Sequence, residues 1–170
     1  AIYILKYYGS YIKNNKIWIV LEFCEGGSLL DIMRITNIFY TEKVIASLLK
    51  MVLKGLQFLH TQKKIHRDIQ AGNILLTDEG IVKLGDFGSS IFINDNTSEP
   101  IGTIIYSAPE IIKNLQYNEK CDLWSLGITL YELFFGELPY GLNPTINKIM
   151  KAISNEKKFK LKKSNIPSLD

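Results

Sequence analysis

The sequence predicts an α+β fold, a β-hairpin at the N-terminal end followed by a mainly helical remainder. Three observations predict it. Residues 2–12 and 16–23 are rich in β-branched and aromatic types on either side of Lys13-Asn14-Asn15, a turn signal. Residues 41–62 place Val44, Ile45, Leu48, Leu49, Val52, Leu56 and Leu59 at helical spacing. Residues 117–135 are apolar nearly all round, the pattern of a helix enclosed by a core.

Each element follows from its own residues. The two N-terminal runs pair as antiparallel strands. Gly26-Gly27-Ser28 opens a short helix through Arg34, with Asp31 as a first-turn carboxylate. Thr41 is the N-cap of the long helix and Glu42 lies in its first turn. Ile74-Leu75-Leu76 and Ile81-Val82-Lys83-Leu84 are short strands around the turn Thr77-Asp78-Glu79-Gly80. Residues 89–107 lack periodicity and are polar in the middle, which reads as a mobile loop of functional length. Gly136 stops the apolar helix, and Pro144 to Ile153 form one more.

The 170 residues suggest one domain, and 46% hydrophobic content is enough for a core. The net charge of +3 is mild and the basic residues are scattered, which argues against a nucleic-acid partner. The exception is the cluster Lys157, Lys158 and Lys160 to Lys163, read as solvated surface. Cys24 and Cys121 have neither disulfide nor metal spacing, so a reducing, cytoplasmic setting is expected. No signal peptide is evident, and no apolar run reads as long enough to span a membrane. The chain begins with Ala inside a pattern and ends soon after Leu138-Pro139-Tyr140, so both ends read as cuts through a longer pattern.

The chemistry lies in His66-Arg67-Asp68-Ile69-Gln70-Ala71-Gly72-Asn73, followed by Asp86-Phe87-Gly88. Phosphoryl transfer from a nucleotide needs one carboxylate to orient the attacking hydroxyl, here Asp68. It also needs an Asn and an Asp to hold Mg²⁺, here Asn73 and Asp86.

These motifs, with Gly102-Thr103-Ile104-Ile105-Tyr106 before Ala108-Pro109-Glu110 and then Asp122-Leu123-Trp124-Ser125-Leu126-Gly127, resemble a eukaryotic protein kinase. The Ala71-Gly72-Asn73 loop, Gly102-Thr103 and Glu22-Phe23-Cys24 are most similar to Ser/Thr kinases of the Ste20/germinal-centre group. The resemblance implies a protein kinase-like fold over 1–170, as a partial domain. Residues 1–23 would be residual N-lobe strands and the start of the hinge. Residues 24–170 would be a C-lobe cut short at its end.

It also implies ATP and Mg²⁺ as cofactors, a protein substrate and an upstream activating kinase. Leu21 would be the gatekeeper at the back of the adenine pocket, with Glu22 and Cys24 in the hinge. Leu75 would form the floor under the adenine, and Asp31 would face the mouth of the cleft. Thr103 would join Asp68 in the catalytic group. Arg67 would pair with a phosphate on the 89–107 loop, while His66 and Phe87 would pack. Asp122 would accept backbone N–H bonds from the catalytic loop.

The chain departs from the family pattern at three places. Gln70 stands where these kinases carry a Lys, keeping a donor but losing the charge. Glu99, four residues before Thr103, occupies the spacing of a phosphorylated Thr, with Thr97 and Ser98 as other modification candidates. The Gly-rich loop, the Val-Ala-Ile-Lys strand and the helix with its partner Glu do not occur in these residues. The alternative reading is therefore a pseudokinase-like binding module.

Overall fold

The structure is a computed structural model and describes residues 1–36, 40–93, 102–141 and 144–155. The hairpin forms as expected from β1 (Tyr7–Lys13) and β2 (Lys16–Leu21), paired from Lys13↔Lys16 to Tyr7↔Leu21. Asn14 and Asn15 both take positive φ (52° and 57°), the geometry that a two-residue hairpin turn demands and that Asn tolerates. Tyr11 stacks on its cross-strand partner Trp18 with ring centroids 6.1 Å apart. Residues 2–6, expected as strand, instead form a turn that joins the hairpin to the body. Leu5 N–H donates to Leu84 O and Leu84 N–H to Tyr3 O, each at 2.9 Å.

Behind the hairpin, β3 (Gly27–Ser28), β5 (Ile74–Leu76) and β6 (Val82–Leu84) make a three-stranded sheet in the order β3-β5-β6. The predicted helix at Gly26 therefore starts later, as α1 (Leu29–Thr36), because Gly27 and Ser28 pair with Leu76 and Leu75. The described parts of the 89–107 segment, 89–93 and 102–107, are less irregular than the composition suggested. Its start, β7 (Ile91–Phe92), pairs with β4 (Lys64–Ile65), and Ile104–Tyr106 form a 3₁₀ turn. Glu99, Thr97 and Ser98 lie outside the described residues, as does the basic cluster at 157–163.

The core centres on α2 (Glu42–Thr61), capped by Thr41, whose Oγ1 accepts the Val44 N–H. Its stripe of Ile45, Leu48, Val52, Leu56 and Leu59 is buried with Val82 and Leu84 of β6, with Leu49 partly buried against it, whereas Val44, expected on the same face, is 43% exposed near the helix start. At twenty residues, α2 is long and apolar enough to cross a bilayer, contrary to the expectation from sequence. Part of that apolar content is the stripe packed in the core, while Val44, Leu53 and Phe58 are exposed. Against α2 lies α4 (Lys120–Phe135), ended by Gly136 in the left-handed region (φ 69°). It starts at Lys120 rather than Tyr117 because the Asn118 side chain accepts the Lys120 N–H and halts the helix there. Only one side of α4 is enclosed among the described residues, and Leu123 on the other is 49% exposed. Two smaller helices, α3 (Pro109–Ile112) and α5 (Ile146–Ser154), complete the body.

Asp122, in the first turn of α4, has no exposed surface. Its Oδ2 accepts from His60 Nε2 (2.8 Å) and the His66 N–H (3.0 Å), and its Oδ1 from the Arg67 N–H (2.8 Å). This is the bonding expected of it, with His60 as an added partner from the end of α2. Ser125 Oγ donates to Tyr106 O (2.8 Å), so a second turn of α4 binds neighbouring backbone, whereas the Thr129 hydroxyl donates to Ser125 O (2.8 Å) in its own helix, with Ile69 O 3.3 Å away. His66 is itself fully buried, with Nε2 on Gly85 O at 2.9 Å.

Two tests follow from this packing. Leu56→Ala should cost about 2–5 kcal/mol in urea denaturation, since it opens a cavity in the core, whereas Lys50→Ala on the outer face should stay within about 0.5 kcal/mol. Equal effects would contradict the placement of the core. Burial holds the His66 imidazole below its ordinary value of 6.5. As pH falls through that value the unfolded chain gains a proton that the folded chain refuses. This contribution to stability is full above pH 6.5 and declines below it, levelling out once the folded imidazole also protonates. Denaturation between pH 8 and 5 should show that slope, and His66→Asn should reduce it; a contribution that grows on acidification would contradict it.

Candidate active site

The loop from His66 to Asn73 is folded by backbone as well as side chains. Arg67 sits at φ +66° and Asp86 at φ +54°, a left-handed region that such residues enter only when their surroundings enforce it. Asp122 supplies the enforcement at Arg67 by binding the two amides before Asp68. The buried ring of His66 bridges both halves of the site. Its Nε2 carries the proton given to Gly85 O, so Nδ1 is free to accept the Asp68 N–H at 3.3 Å. The same ring packs on Phe87, centroids 4.9 Å apart. His66 and Phe87 thus pack, as the sequence suggested.

Asp68 is the point on which the site converges. Its Oδ2 accepts from Gln70 Nε2 (3.0 Å) and Asn73 Nδ2 (2.8 Å), and its Oδ1 accepts the Thr103 N–H (3.0 Å). A carboxylate can only accept, which fixes the amide groups of Gln70 and Asn73 with nitrogen facing it. Gln70 Nε2 also reaches Thr103 Oγ1 at 2.8 Å. Asp68, Gln70, Asn73 and Thr103 therefore form one bonded group.

Asn73 also donates to Asp68 O at 2.9 Å, so its amide nitrogen is committed and its carbonyl oxygen is the atom left to bind a cation. The Asn73 backbone O accepts the Gly85 N–H at 2.9 Å, which sets Asn73 beside the residue preceding Asp86. Asp86 Oδ1 accepts the Gly88 N–H at 3.2 Å. Two hard oxygen groups suit Mg²⁺, which keeps waters and phosphate oxygens for the rest of its shell. Among the described residues no group of three or more His, Cys, Asp or Glu could hold a metal ion.

The expected nucleotide-facing residues are more scattered. Glu22 turns its carboxylate away to Lys83 Nζ (2.7 Å) and the Lys6 N–H (3.0 Å), and the bond to Lys83 holds it below its usual carboxylate range. Its backbone N–H is also taken, by Lys6 O at 2.8 Å, so neither the carboxylate nor the amide is left for a ligand. Cys24 is buried, which pushes its thiol up, and its carbonyl accepts the Gly27 N–H at 3.1 Å. Leu75 is half-buried on β5 opposite Lys83. Asp31 is exposed at the start of α1 and accepts from Ser28 Oγ at 2.6 Å. Leu21, at the end of β2, is 45% exposed, and among the described residues β1 is the only strand beside β2.

Arg67 donates through Nε to Ser89 O and through Nη1 to Tyr117 Oη at 2.9 Å. Sequence reasoning missed Tyr117 here, along with His60 and Lys83. Lys83 carried a signal, a lone cation within an apolar strand, but its partner lies 61 positions away.

The protein kinase domain family model matches residues 1–169. The chain is 51% identical over 141 residues to the serine/threonine-protein kinase cst-1 of Caenorhabditis briggsae, covering 81% of this chain and 28% of that protein. It is 46% identical over 148 residues to the serine/threonine-protein kinase ppk11 of Schizosaccharomyces pombe, covering 85% and 47%. Against cst-1 of Caenorhabditis elegans the identity is 50% over 141 residues, covering 81% and 28%. The chain thus spans from about a quarter to about a half of the length of these curated relatives. With a family match running through the loop at Asp68, the Asp86 turn and the helix that carries Asp122, this chain belongs to the protein kinase domain family.

Proposed function

We propose that this chain is the catalytic portion of a protein serine/threonine kinase that transfers the γ-phosphate of ATP to Ser or Thr hydroxyls of a protein substrate. The observation that carries the reading is the convergence of three N–H donors from Gln70, Asn73 and Thr103 on the Asp68 carboxylate. A carboxylate so held has one orientation. It stays an acceptor able to take a hydroxyl proton's hydrogen bond and aim the oxygen. In phosphoryl transfer through a loose transition state, that alignment matters more than proton removal.

In this reading Asn73 and Asp86 hold Mg²⁺, which supplies positive charge to the phosphate oxygens. The backbone of Glu22 to Cys24 meets the adenine, Leu75 lies beneath it, Leu21 borders it, and Asp31 stands at the mouth of the cleft. An upstream activating kinase acting on the 89–107 loop, and a cytoplasmic setting suited to two buried free cysteines, belong to the same proposal. Support comes from relatives that bear the name serine/threonine-protein kinase.

Gln70 is the observation that favours the weaker, pseudokinase-like alternative. It keeps both bonds a donor makes here, to Asp68 and Thr103, and lacks only the charge. A preorganised donor is typically worth about 10²–10³ in rate, so restoring charge alone in Gln70→Lys should raise kcat about 10- to 100-fold. Transfer of labelled phosphate to a generic Ser/Thr protein substrate checks this, with Asp68→Asn as the inactive baseline. Wild-type transfer no faster than Asp68→Asn, with no gain in Gln70→Lys, would leave the binding-module reading.

A further inference from the structure

Thr103 reaches Asp68 by way of the residue before it. Gly102 sits at φ +96°, and a Cβ built there would overlap the carbonyl oxygen of Arg67 and lie 3.5 Å from Asp68 Oδ1. The obstructing atom is backbone, which cannot swing aside as the end of a side chain would. The rest of Gly102 is exposed, so the close approach is confined to this one side. The 102–103 backbone therefore rests directly on the peptide that joins Arg67 to Asp68. One residue on, the Thr103 N–H meets Asp68 Oδ1 at 3.0 Å and Thr103 Oγ1 accepts from Gln70.

We propose that Gly102 is a positioning residue for phosphoryl transfer: its missing side chain lets the segment seat on the Arg67 carbonyl and so brings the Thr103 N–H to Asp68. The inference rests on the reading of Asp68 as the group that aligns the substrate hydroxyl. Gln70 and Asn73 both bind Oδ2, and among the described residues the bond from Thr103 is the one that holds Oδ1. A methyl group at 102 displaces the segment, breaks that bond and frees the carboxylate to turn. A misplacement of about 1 Å at a reacting centre costs about 10²-fold in rate.

Alanine at 102 would bring two perturbations, the left-handed backbone and the overlap with Arg67. Gly141 separates them. Its φ of +93° nearly matches, and a Cβ built there meets nothing within 4 Å. Gly102→Ala, Gly141→Ala and the wild-type enzyme would be compared by hydrogen exchange at the Thr103 amide, thermal midpoint, kcat and KM for ATP.

In Gly102→Ala, exchange at Thr103 should speed by about tenfold or more, as loss of one hydrogen bond to a charged group implies. Its kcat should fall about 10²-fold with KM for ATP nearly unchanged. Gly141→Ala should match wild type in both. Unchanged exchange and kcat in Gly102→Ala would overturn the proposal, and so would an equal loss of kcat in Gly141→Ala. A Gly102→Ala chain that fails to fold would make the residue structural and overturn it too. Independently, Asp68→Ala on the native Gly102 background should release the Thr103 amide; protection retained there would overturn the link. If no form transfers phosphate, the kinase reading fails, and exchange at Thr103 alone decides whether Gly102 places that amide.

Discussion

The buried carboxylate of Asp122 is the constraint on which the rest of the structure depends. An ion without exposed surface is tolerable only when every part of its desolvation is offset by bonded partners. Here the partners come from the end of α2, through His60, and from the two amides that enter the loop at His66 and Arg67. One side chain therefore ties the two longest helices to the loop that carries Asp68. The left-handed Arg67 is the consequence: its N–H must face Asp122, and the chain then turns to present Asp68 on the other side.

From that anchor the site is assembled outward in bonded steps. His66 links the loop to Gly85 O and so to the Asp86 turn, while Asn73 O binds the N–H of the same residue. Gln70 and Thr103 tie the loop to the segment that leads into Ala108-Pro109-Glu110. These contacts are all made within the protein. The lower half of the site is preorganised by the core, whereas the hairpin above it, with Ile12 and Ile17 more than 70% exposed, is joined to the body by few bonds.

Much of this was legible in the sequence because the critical residues lie close together in it. Asp68, Gln70 and Asn73 share one short loop, and the stripe on α2 declares its buried face by period alone. Asn14-Asn15 announced the hairpin turn. Less legible were contacts whose partners are far apart. Gln70 gives no sign that its amide will meet Thr103, 33 positions on, and Glu22 gives none that Lys83 will draw its carboxylate away from the hinge. Apolar periodicity could not tell that one side of α4 lies open at Leu123, nor that Leu21 would be half exposed, since neither pattern specifies which neighbour covers it. The short β3 and β7 strands escaped because pairing of two residues leaves no periodicity to read.

The most direct test of the account is amide hydrogen exchange at His66 and Arg67 in Asp122→Asn. An asparagine offers one acceptor oxygen and turns an NH₂ toward the other amide, so the two loop amides cannot both stay bonded. Loss of a hydrogen bond to a charged acceptor, about 1.5–3 kcal/mol, should speed exchange of at least one of them by about 10- to 100-fold and carry over to the Thr103 amide on Asp68. Wild-type protection at His66, Arg67 and Thr103 in a folded Asp122→Asn chain would contradict the claim that this carboxylate holds the site in shape.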